Sequence, residues 1–292
     1  MRKLFGTDGI RGESNSEPMT AKTILDVGRA IACEMRRSSK GSDHVMLIGK
    51  DTRSSGYMFE TSLAAGLCSM GVDVMLVGPM PTPGIAFLTT AMRAQAGAVI
   101  SASHNPYSDN GIKFFGPDGY KLSDEFEEGI ESLIKDENAL IEMTPKPEFI
   151  GKASRLEDAK GRYITYLKYN FPKHLTLKNL KIVLDCANGA TYKIAPLVFG
   201  ELGADIFCYG VHPDGININD GCGAVYPEFL VSKVKENHAD LGISFDGDGD
   251  RLMMVDRTGH VYDGDDLLSI LAPWLHARSE LDGGVVGTVM SN

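Results

Sequence analysis

The chain lacks any apolar run approaching the roughly 20 residues that a bilayer crossing needs, so no membrane-spanning helix is expected. It also lacks a secretory leader pattern. Met1-Arg-Lys-Leu-Phe5 is basic, but Gly6-Thr-Asp-Gly9 stands where a leader would continue apolar. Cysteine is scarce and unpatterned: Cys33, Cys68, Cys186, Cys208 and Cys222 are odd in number and show no metal-like pairing. Cys33, Cys68 and Cys208 fall in apolar periodic segments and are expected as reduced core residues. Basic charge is in deficit, with 29 Lys and Arg against 39 Asp and Glu and a formal charge of −10. That balance argues against nucleic acid or an anionic membrane as main partner, while leaving room for a local basic pocket that holds an anionic substrate. The expectation is a cytoplasmic, reduced protein.

What is present suits a globular chain. The 292 residues are 43% hydrophobic and 23% charged, enough for about two α/β domains, each with its own core. Apolar spacing predicts a helix from about Ala21 to Arg37 with Thr20 as its cap, and a short buried strand at Val45–Gly49. The turn Lys50-Asp-Thr-Arg-Ser-Ser55 follows at the strand's C-terminal end, where open α/β sheets bind ligands. A helix at 57–69, a strand at 72–77, a helix near 85–92 and a strand at 96–100 come next. The alternation indicates parallel neighbours joined by helical crossovers. Turn signals at Asp109-Asn-Gly111 and Pro117-Asp-Gly119 flank a short apolar run, and Ser123 opens an acidic helix. Thr144-Pro-Lys-Pro147 reads as the linker out of the first domain.

The second half repeats the plan. A helix at about 156–171 leads to a strand at Lys181–Asp185, a helix ending near Leu202 and a strand within 203–210. Gly203-Ala-Asp-Ile-Phe-Cys-Tyr-Gly210 matches Gly71-Val-Asp-Val-Met-Leu-Val-Gly78 in pattern, which indicates an internal duplication of one α/β module. The strand at 239–245 runs into Asp246-Gly-Asp-Gly-Asp-Arg251, and Asp256-Arg-Thr-Gly259 turns a hairpin. A helix at 265–278 and a further buried strand at 284–290 are expected to close the chain.

Two stretches could carry chemistry. Asp246, Asp248 and Asp250 alternate with Gly247 and Gly249 after a strand, and in a glycine turn their carboxylates can converge. Three carboxylates so close repel unless a divalent cation lies between them, and hard oxygen ligands suit Mg²⁺. The plainer alternative is an acidic turn, since Asp-Gly pairs are ordinary turn formers. Ser103, in Val99-Ile-Ser-Ala-Ser-His-Asn-Pro106, has His104 beside it. Neighbours in a strand-like segment point to opposite faces, so His104 is poorly placed as its base, and there is no glycine-x-serine-x-glycine elbow. A serine near Mg²⁺ and cations points instead to a phosphoryl carrier. Phe5-Gly-Thr-Asp-Gly-Ile-Arg-Gly12 reads either as a turn or as a backbone nest with Arg11 aimed at an anion. Lys113 is open between a base of lowered pKa near other cations and a lysine lying along Phe114 and Phe115.

Taken with Ile100–Pro106, Asn110-Gly-Ile-Lys113 and the Asp246–Arg251 loop, the Phe5–Gly12 stretch resembles the α-D-phosphohexomutase superfamily. The opening stretch, Pro213-Asp-Gly-Ile-Asn-Ile-Asn219 and Cys222-Gly-Ala224 are similar to its bacterial amino-sugar branch. The resemblance implies repeated three-layer α/β domains with mixed, largely parallel sheets. It implies interconversion of glucosamine 6-phosphate and glucosamine 1-phosphate through a phosphoserine enzyme and glucosamine 1,6-bisphosphate, feeding UDP-N-acetylglucosamine and cell-wall synthesis. Glucose or mannose phosphates, or an inactive fragment that binds Mg²⁺ and sugar phosphate, are the alternatives. Ser103 would carry the phosphoryl group and, with Asp246, Asp248 and Asp250, hold Mg²⁺. Arg11 and Arg251 would contact phosphoryl oxygens, Lys113 would be the general acid/base, and His104 would assist. A small-molecule sugar phosphate is the implied partner, with a homodimer admissible.

The resemblance also implies boundaries: a phosphoserine domain over 1–150, a metal-loop domain over 151–255, and an incomplete third domain from 256. The family's fourth domain, whose loop clamps the non-reacting phosphate, would be absent. Because binding energy at that remote phosphate helps organise the reacting end, little mutase activity is expected of this chain, and its last segment is expected to be the least stable.

Overall fold

A computed structural model describes residues 4–38, 44–287 and 291. The first strand, β1 (Ile10–Glu13), is one the sequence does not announce, because glycine and charge obscure its pattern. Helix α1 (Ala21–Ser38) follows, with the Thr20 hydroxyl accepting from the Thr23 N–H at 3.2 Å as a cap. Then come β2 (Val45–Lys50), α2 (Ser55–Ser69), β3 (Asp73–Pro79), α3 (Thr82–Ala91) and β4 (Ala96–Ile100). The short apolar run after the serine turn is a strand, β5 (Asp109–Phe115), followed by α4 (Asp124–Lys135) and α5 (Glu137–Glu142). Beyond the expected linker, β6 (Ala153–Arg155) returns to the first sheet and pairs parallel with β3. Sheet membership therefore runs past the boundary expected at 150.

The first sheet has the order β1-β5-β4-β2-β3-β6. Strands β4, β2, β3 and β6 are parallel neighbours, while β5 and β1 are antiparallel additions at one edge. Alternation along β2 explains its two covers. Met46 and Ile48 face the core under α1, α2 and α4, and Leu47 faces Ile85 and Leu88 of α3 on the other side. Helices α1 and α2 approach closely because both carry glycine at the crossing: a Cβ on Gly66 would lie 2.3 Å from the Leu25 carbonyl oxygen.

The second unit is α6 (Ala159–Asn170), β7 (Lys181–Asp185), α7 (Ile194–Glu201), β8 (Asp205–Tyr209), α8 (Pro227–Glu236), β9 (Leu241–Phe245), β10 (Leu252–Asp256) and β11 (Val261–Tyr262). Helix α8 is not among the expected elements. The sheet order is β11-β10-β9-β7-β8, with β7 parallel to β8 and β9, and with β9–β10–β11 antiparallel. Strand β11 keeps this sheet going past the boundary expected at 255. Ile182 and Leu184 pack toward α7, while Val183 packs toward Leu230 and Val234 of α8. Ile194 and Val198 of α7 also join the core beneath α3 and α6, which ties the two units together.

The duplication is visible in the topology. Strands β5-β4-β2-β3 of the first sheet correspond in order and direction to β10-β9-β7-β8 of the second. The serine turn joins β4 to β5, and the aspartate loop joins β9 to β10, so the two loops occupy the same place in the two modules.

The chain continues as α9 (Gly264–Ala277), capped by Asp263 and Asp266, with no buried residue. The buried strand expected at 284–290 is corrected over 284–287, which are exposed and unpaired in any sheet; 288–290 lie outside the described residues. A strand needs a ladder partner for its backbone groups, and among the described residues none faces this segment. The cysteines are all free, with Cys33, Cys186 and Cys222 buried; Cys68 and Cys208, expected in the core, are half-buried. No helix among the described residues is long and apolar enough to cross a membrane.

Candidate active site

The serine turn and the aspartate loop meet face to face. Ser103 Oγ donates to Asp246 Oδ2 at 2.5 Å and lies 3.5 Å from Asp250 Oδ1. Ser103 is buried, and its backbone is not strand-like: φ is +54°, in the left-handed region that few non-glycine residues occupy. That turn points the hydroxyl across to the second module. At Gly247, any side chain would block the approach, since an added Cβ would lie 2.6 Å from the Ser103 carbonyl oxygen.

Each loop is held by the same device. In the first module, Ser101 Oγ donates to Asp51 Oδ2 at 2.5 Å, and Asp51 Oδ1 accepts from the Arg53 N–H at 2.9 Å. In the second, Ser244 Oγ donates to Asp185 Oδ2 at 3.3 Å, and Asp185 Oδ1 accepts from the Ala187 N–H at 3.0 Å. Ser101 stands two residues before Ser103 and Ser244 two before Asp246, so the nucleophile candidate and the first carboxylate occupy equivalent positions. Burial raises both anchoring carboxyls above the ordinary carboxylate value, against the pull of Arg53 at Asp51 and of backbone N–H groups at Asp185.

Asp246, Asp248 and Asp250 offer carboxylate oxygens that all lie within 4.8 Å of one another. Burial and the neighbouring Asp248 charge push the Asp246 carboxyl up to about 7. Burial acts on Asp248 too, but the Lys113 ammonium and the Thr82 hydroxyl outweigh it and hold Asp248 below its usual value. Thr82, at the start of α3, donates its hydroxyl to Asp248 Oδ2 at 2.6 Å and its N–H to the Asp248 carbonyl at 2.9 Å. Asp248 Oδ1 is buried with no hydrogen-bond partner. Convergent hard oxygens, an orphaned carboxylate oxygen and a carboxyl driven toward protonation together fit a divalent cation of the Mg²⁺ type.

The lysine differs from expectation. Lys113 Nζ lies 3.0 Å from Asp250 Oδ2 and 3.4 Å from both Asp248 Oδ2 and Asp8 Oδ2. Burial pulls its ammonium down, but these carboxylates outweigh burial and raise it. The expected lowering by cations is therefore corrected: anions surround this lysine, which favours the proton-bound form. His104 is the reverse case. Burial, then Arg251 and Arg11, lower it, and its buried Nδ1 has no partner.

Arg11, on β1, and Arg251, after the aspartate loop, line one cleft of about 890 Å³ together with Gly6, Thr7, Asp8 and Gly9. Arg11 Nη2 is paired with Asp8 Oδ2 at 2.5 Å, while its Nε is buried without a partner. Arg251 is more than half exposed in its side chain, 4.0 Å from Asp250 Oδ1. The structure thus brings Ser103, Lys113, Asp246, Asp248 and Asp250 into direct contact and sets Arg11 and Arg251 on the adjoining cleft. Asp8, Asp51, Arg53, Thr82 and Asn219 belong to the same assembly and were not singled out by sequence reasoning. A signal existed for Asp51 and Arg53 in the turn at the C-terminal end of β2, for Asp8 in the Phe5–Gly12 stretch and for Asn219 in the Pro213–Asn219 segment, but none for Thr82.

Two tandem α/β modules of one topology, meeting at a serine turn and an acidic loop, define the class. The chain belongs to the phosphoglucomutase/phosphomannomutase family: residues 2–140 match its alpha/beta/alpha domain I and residues 161–259 its alpha/beta/alpha domain II. All of it is 57% identical to the phosphoglucosamine mutase of Desulfotalea psychrophila over 293 residues, covering 64% of that protein. It is 54% identical to the phosphoglucosamine mutase of Chlamydia trachomatis, covering 63% of it. The chain thus spans about 64% of the length of the first of these relatives. Among solved structures, a phosphoglucomutase/phosphomannomutase family protein from Burkholderia thailandensis superposes with a TM-score of 0.81 at 27% identity, over 95% of this chain and 59% of that one.

Proposed function

We propose that this chain carries the phosphoryl-transfer centre of a phosphoglucosamine mutase, exchanging phosphoryl groups between Ser103 and glucosamine phosphates. The observation that carries the reading is the 2.5 Å contact of Ser103 Oγ with Asp246 inside the acidic triad. The relatives that bear the phosphoglucosamine mutase name support the amino-sugar substrate. Residues through Arg155 form the phosphoserine domain, Ala159–Tyr262 the metal-loop domain, and the segment from Asp263 begins a third unit.

In this reading the phosphoryl group rests on Ser103 Oγ. The C1 hydroxyl of glucosamine 6-phosphate attacks phosphorus, the Ser103 Oγ–P bond breaks, and glucosamine 1,6-bisphosphate forms. After the bisphosphate reorients, its 6-phosphoryl returns to Ser103 and glucosamine 1-phosphate leaves. Mg²⁺, held by Asp246, Asp248, Asp250 and an oxygen on Ser103, supplies neutralisation of charge on the transferring group. Arg11 and Arg251 present guanidinium donors to phosphoryl oxygens in the cleft. His104, neutral near pH 7, takes the hydroxyl proton, and Lys113, held proton-bound by its carboxylates, gives one to Ser103 Oγ as it leaves. The free cysteines suit a cytoplasmic enzyme, and the product suits supply of UDP-N-acetylglucosamine for cell-wall synthesis.

A single-turnover phosphorus NMR experiment tests this. The chain, Mg²⁺ and one equivalent of glucosamine 1,6-bisphosphate should give a phosphoserine signal and a glucosamine monophosphate, with neither formed by Ser103→Ala. Inorganic phosphate as the main product would instead make the protein a phosphatase. Faster uptake from glucose or mannose 1,6-bisphosphate would remove the amino-sugar assignment.

A further inference from the structure

The segment Pro213–Asn219 is prominent in the sequence, yet the proposed chemistry gives it no task. Its last residue reaches the serine turn. Asn219 Nδ2 donates to the Ser103 carbonyl at 2.9 Å and to the Asn105 carbonyl at 3.1 Å. Arg53 Nη2 donates to the same two carbonyls, at 3.2 and 2.5 Å. The turn that holds Ser103 at φ +54° is therefore gripped twice, by Arg53 of its own module and by Asn219 of the other.

We propose that Asn219 is a positioning residue that fixes the Ser103 turn against the aspartate loop, across the junction of the two modules. Three observations carry this. First, Asn219 is buried, with φ of +58°, and its N–H donates to the Ala187 carbonyl at 2.9 Å, so its own place is set by the end of β7. Second, its Oδ1 is buried without a partner, so the amide is there for its donors alone. The opposite flip would set that oxygen against two carbonyl oxygens. Third, an added Cβ on Gly247 would lie 2.6 Å from the Ser103 carbonyl oxygen and 2.8 Å from Asn219 Nδ2, so the backbone of the aspartate loop, the serine turn and this amide meet at one point. Arg53, with the Ser101 hydroxyl that accepts from the Ser103 N–H at 2.9 Å, holds the turn to the first module. Asn219 sets it relative to Asp246, which is the distance that phosphoryl transfer depends on.

The inference rests on the proposed function, and the test separates the two. Asn219→Gly keeps the left-handed backbone and removes the amide, and Asn219→Asp keeps the shape while replacing the donors with acceptors. Single-turnover uptake from glucosamine 1,6-bisphosphate should show a limiting rate about 10- to 100-fold lower in both. The half-saturating bisphosphate concentration, set by Arg11 and Arg251, and the Mg²⁺ affinity should stay near those of the unsubstituted chain. Asn219→Asp should be the slower. Lowered thermal stability with an unchanged rate in both variants would overturn the positioning role and leave Asn219 as packing. Absence of uptake in the unsubstituted chain would overturn the proposed function itself, and the inference with it.

Discussion

The first module ends its third parallel strand, β4, in a hydroxyl, and the second ends β9 in a carboxylate. The frame beneath is the same: an aspartate at the end of β2 or β7, bound to a serine two residues before the functional side chain. The second partner of the aspartate differs. Asp51 is paired with the buried Arg53 guanidinium, whereas Asp185 Oδ2 accepts from the Gly223 N–H at 2.6 Å. That difference shows how one scaffold was fitted to two tasks. Arg53 has donors to spare and uses them to hold the strained serine turn, while the aspartate loop needs only glycines to bend. Two copies facing each other set a hydroxyl and a cluster of carboxylates at matched strand ends.

The comparison is broken most readily at the matched positions. Ser103→Ala and Asp246→Ala should each lower phosphoryl uptake from the bisphosphate by on the order of 10³-fold or more, read by intact mass, because one removes the acceptor and the other its charge neutralisation. Near-normal uptake by Asp246→Ala would separate the two loops functionally. The anchors come next. Asp51→Asn should cost about 3–5 kcal/mol in urea unfolding, since it leaves the buried Arg53 without a counter-charge. Asp185→Asn should cost about 1–3 kcal/mol, the scale of weakened hydrogen bonds to neutral donors. Equal losses would erase the asymmetry.

A pH effect should mark the acidic loop. Folding raises the Asp246 carboxyl from its ordinary 3.8 to about 7. A raised acid favours the folded state fully below its ordinary value, and that contribution is lost as pH climbs through the folded value. The metal-free chain should therefore lose thermal stability between those two pH values, by on the order of 5 °C. Mg²⁺ should restore it, and Asp246→Asn should reduce the loss. The smallest effect is at the chain's last helix. Leu271→Ala in exposed α9 should change stability by less than about 0.5 kcal/mol, against about 2–5 kcal/mol for Leu184→Ala in the second core. In hydrogen exchange, α9 should be the least protected helix; protection equal to that of β2 would contradict its exposure.

Much of this was legible in the sequence where the signal is local. Strands β4 and β7 fall at the expected residues because their apolar runs stop at polar turns, and the acidic loop stands out by strict alternation. Strand β1 was hidden because its pairing with β5 is set about a hundred residues away and only Ile10 of its four residues is apolar. Lys113 was misjudged for a similar reason: one reading gave it cationic neighbours and a lowered pKa, but folding sets it among Asp8, Asp248 and Asp250. The contacts of Asn219 and Thr82 emerge only when the two modules are docked, since each bonds to a residue of the other. Over 284–287 the expected strand is not formed, because an apolar run becomes a strand only where another strand meets it.

The account stands on the serine turn and the aspartate loop being one site, and linkage tests that most directly. Mg²⁺ binding should be measured by calorimetry on the chain with Ser103 phosphorylated and on the same chain without the phosphoryl group. Phosphorylation should tighten Mg²⁺ binding by about 10-fold or more, as reciprocal coupling between contacting sites requires. Equal affinities would contradict the account.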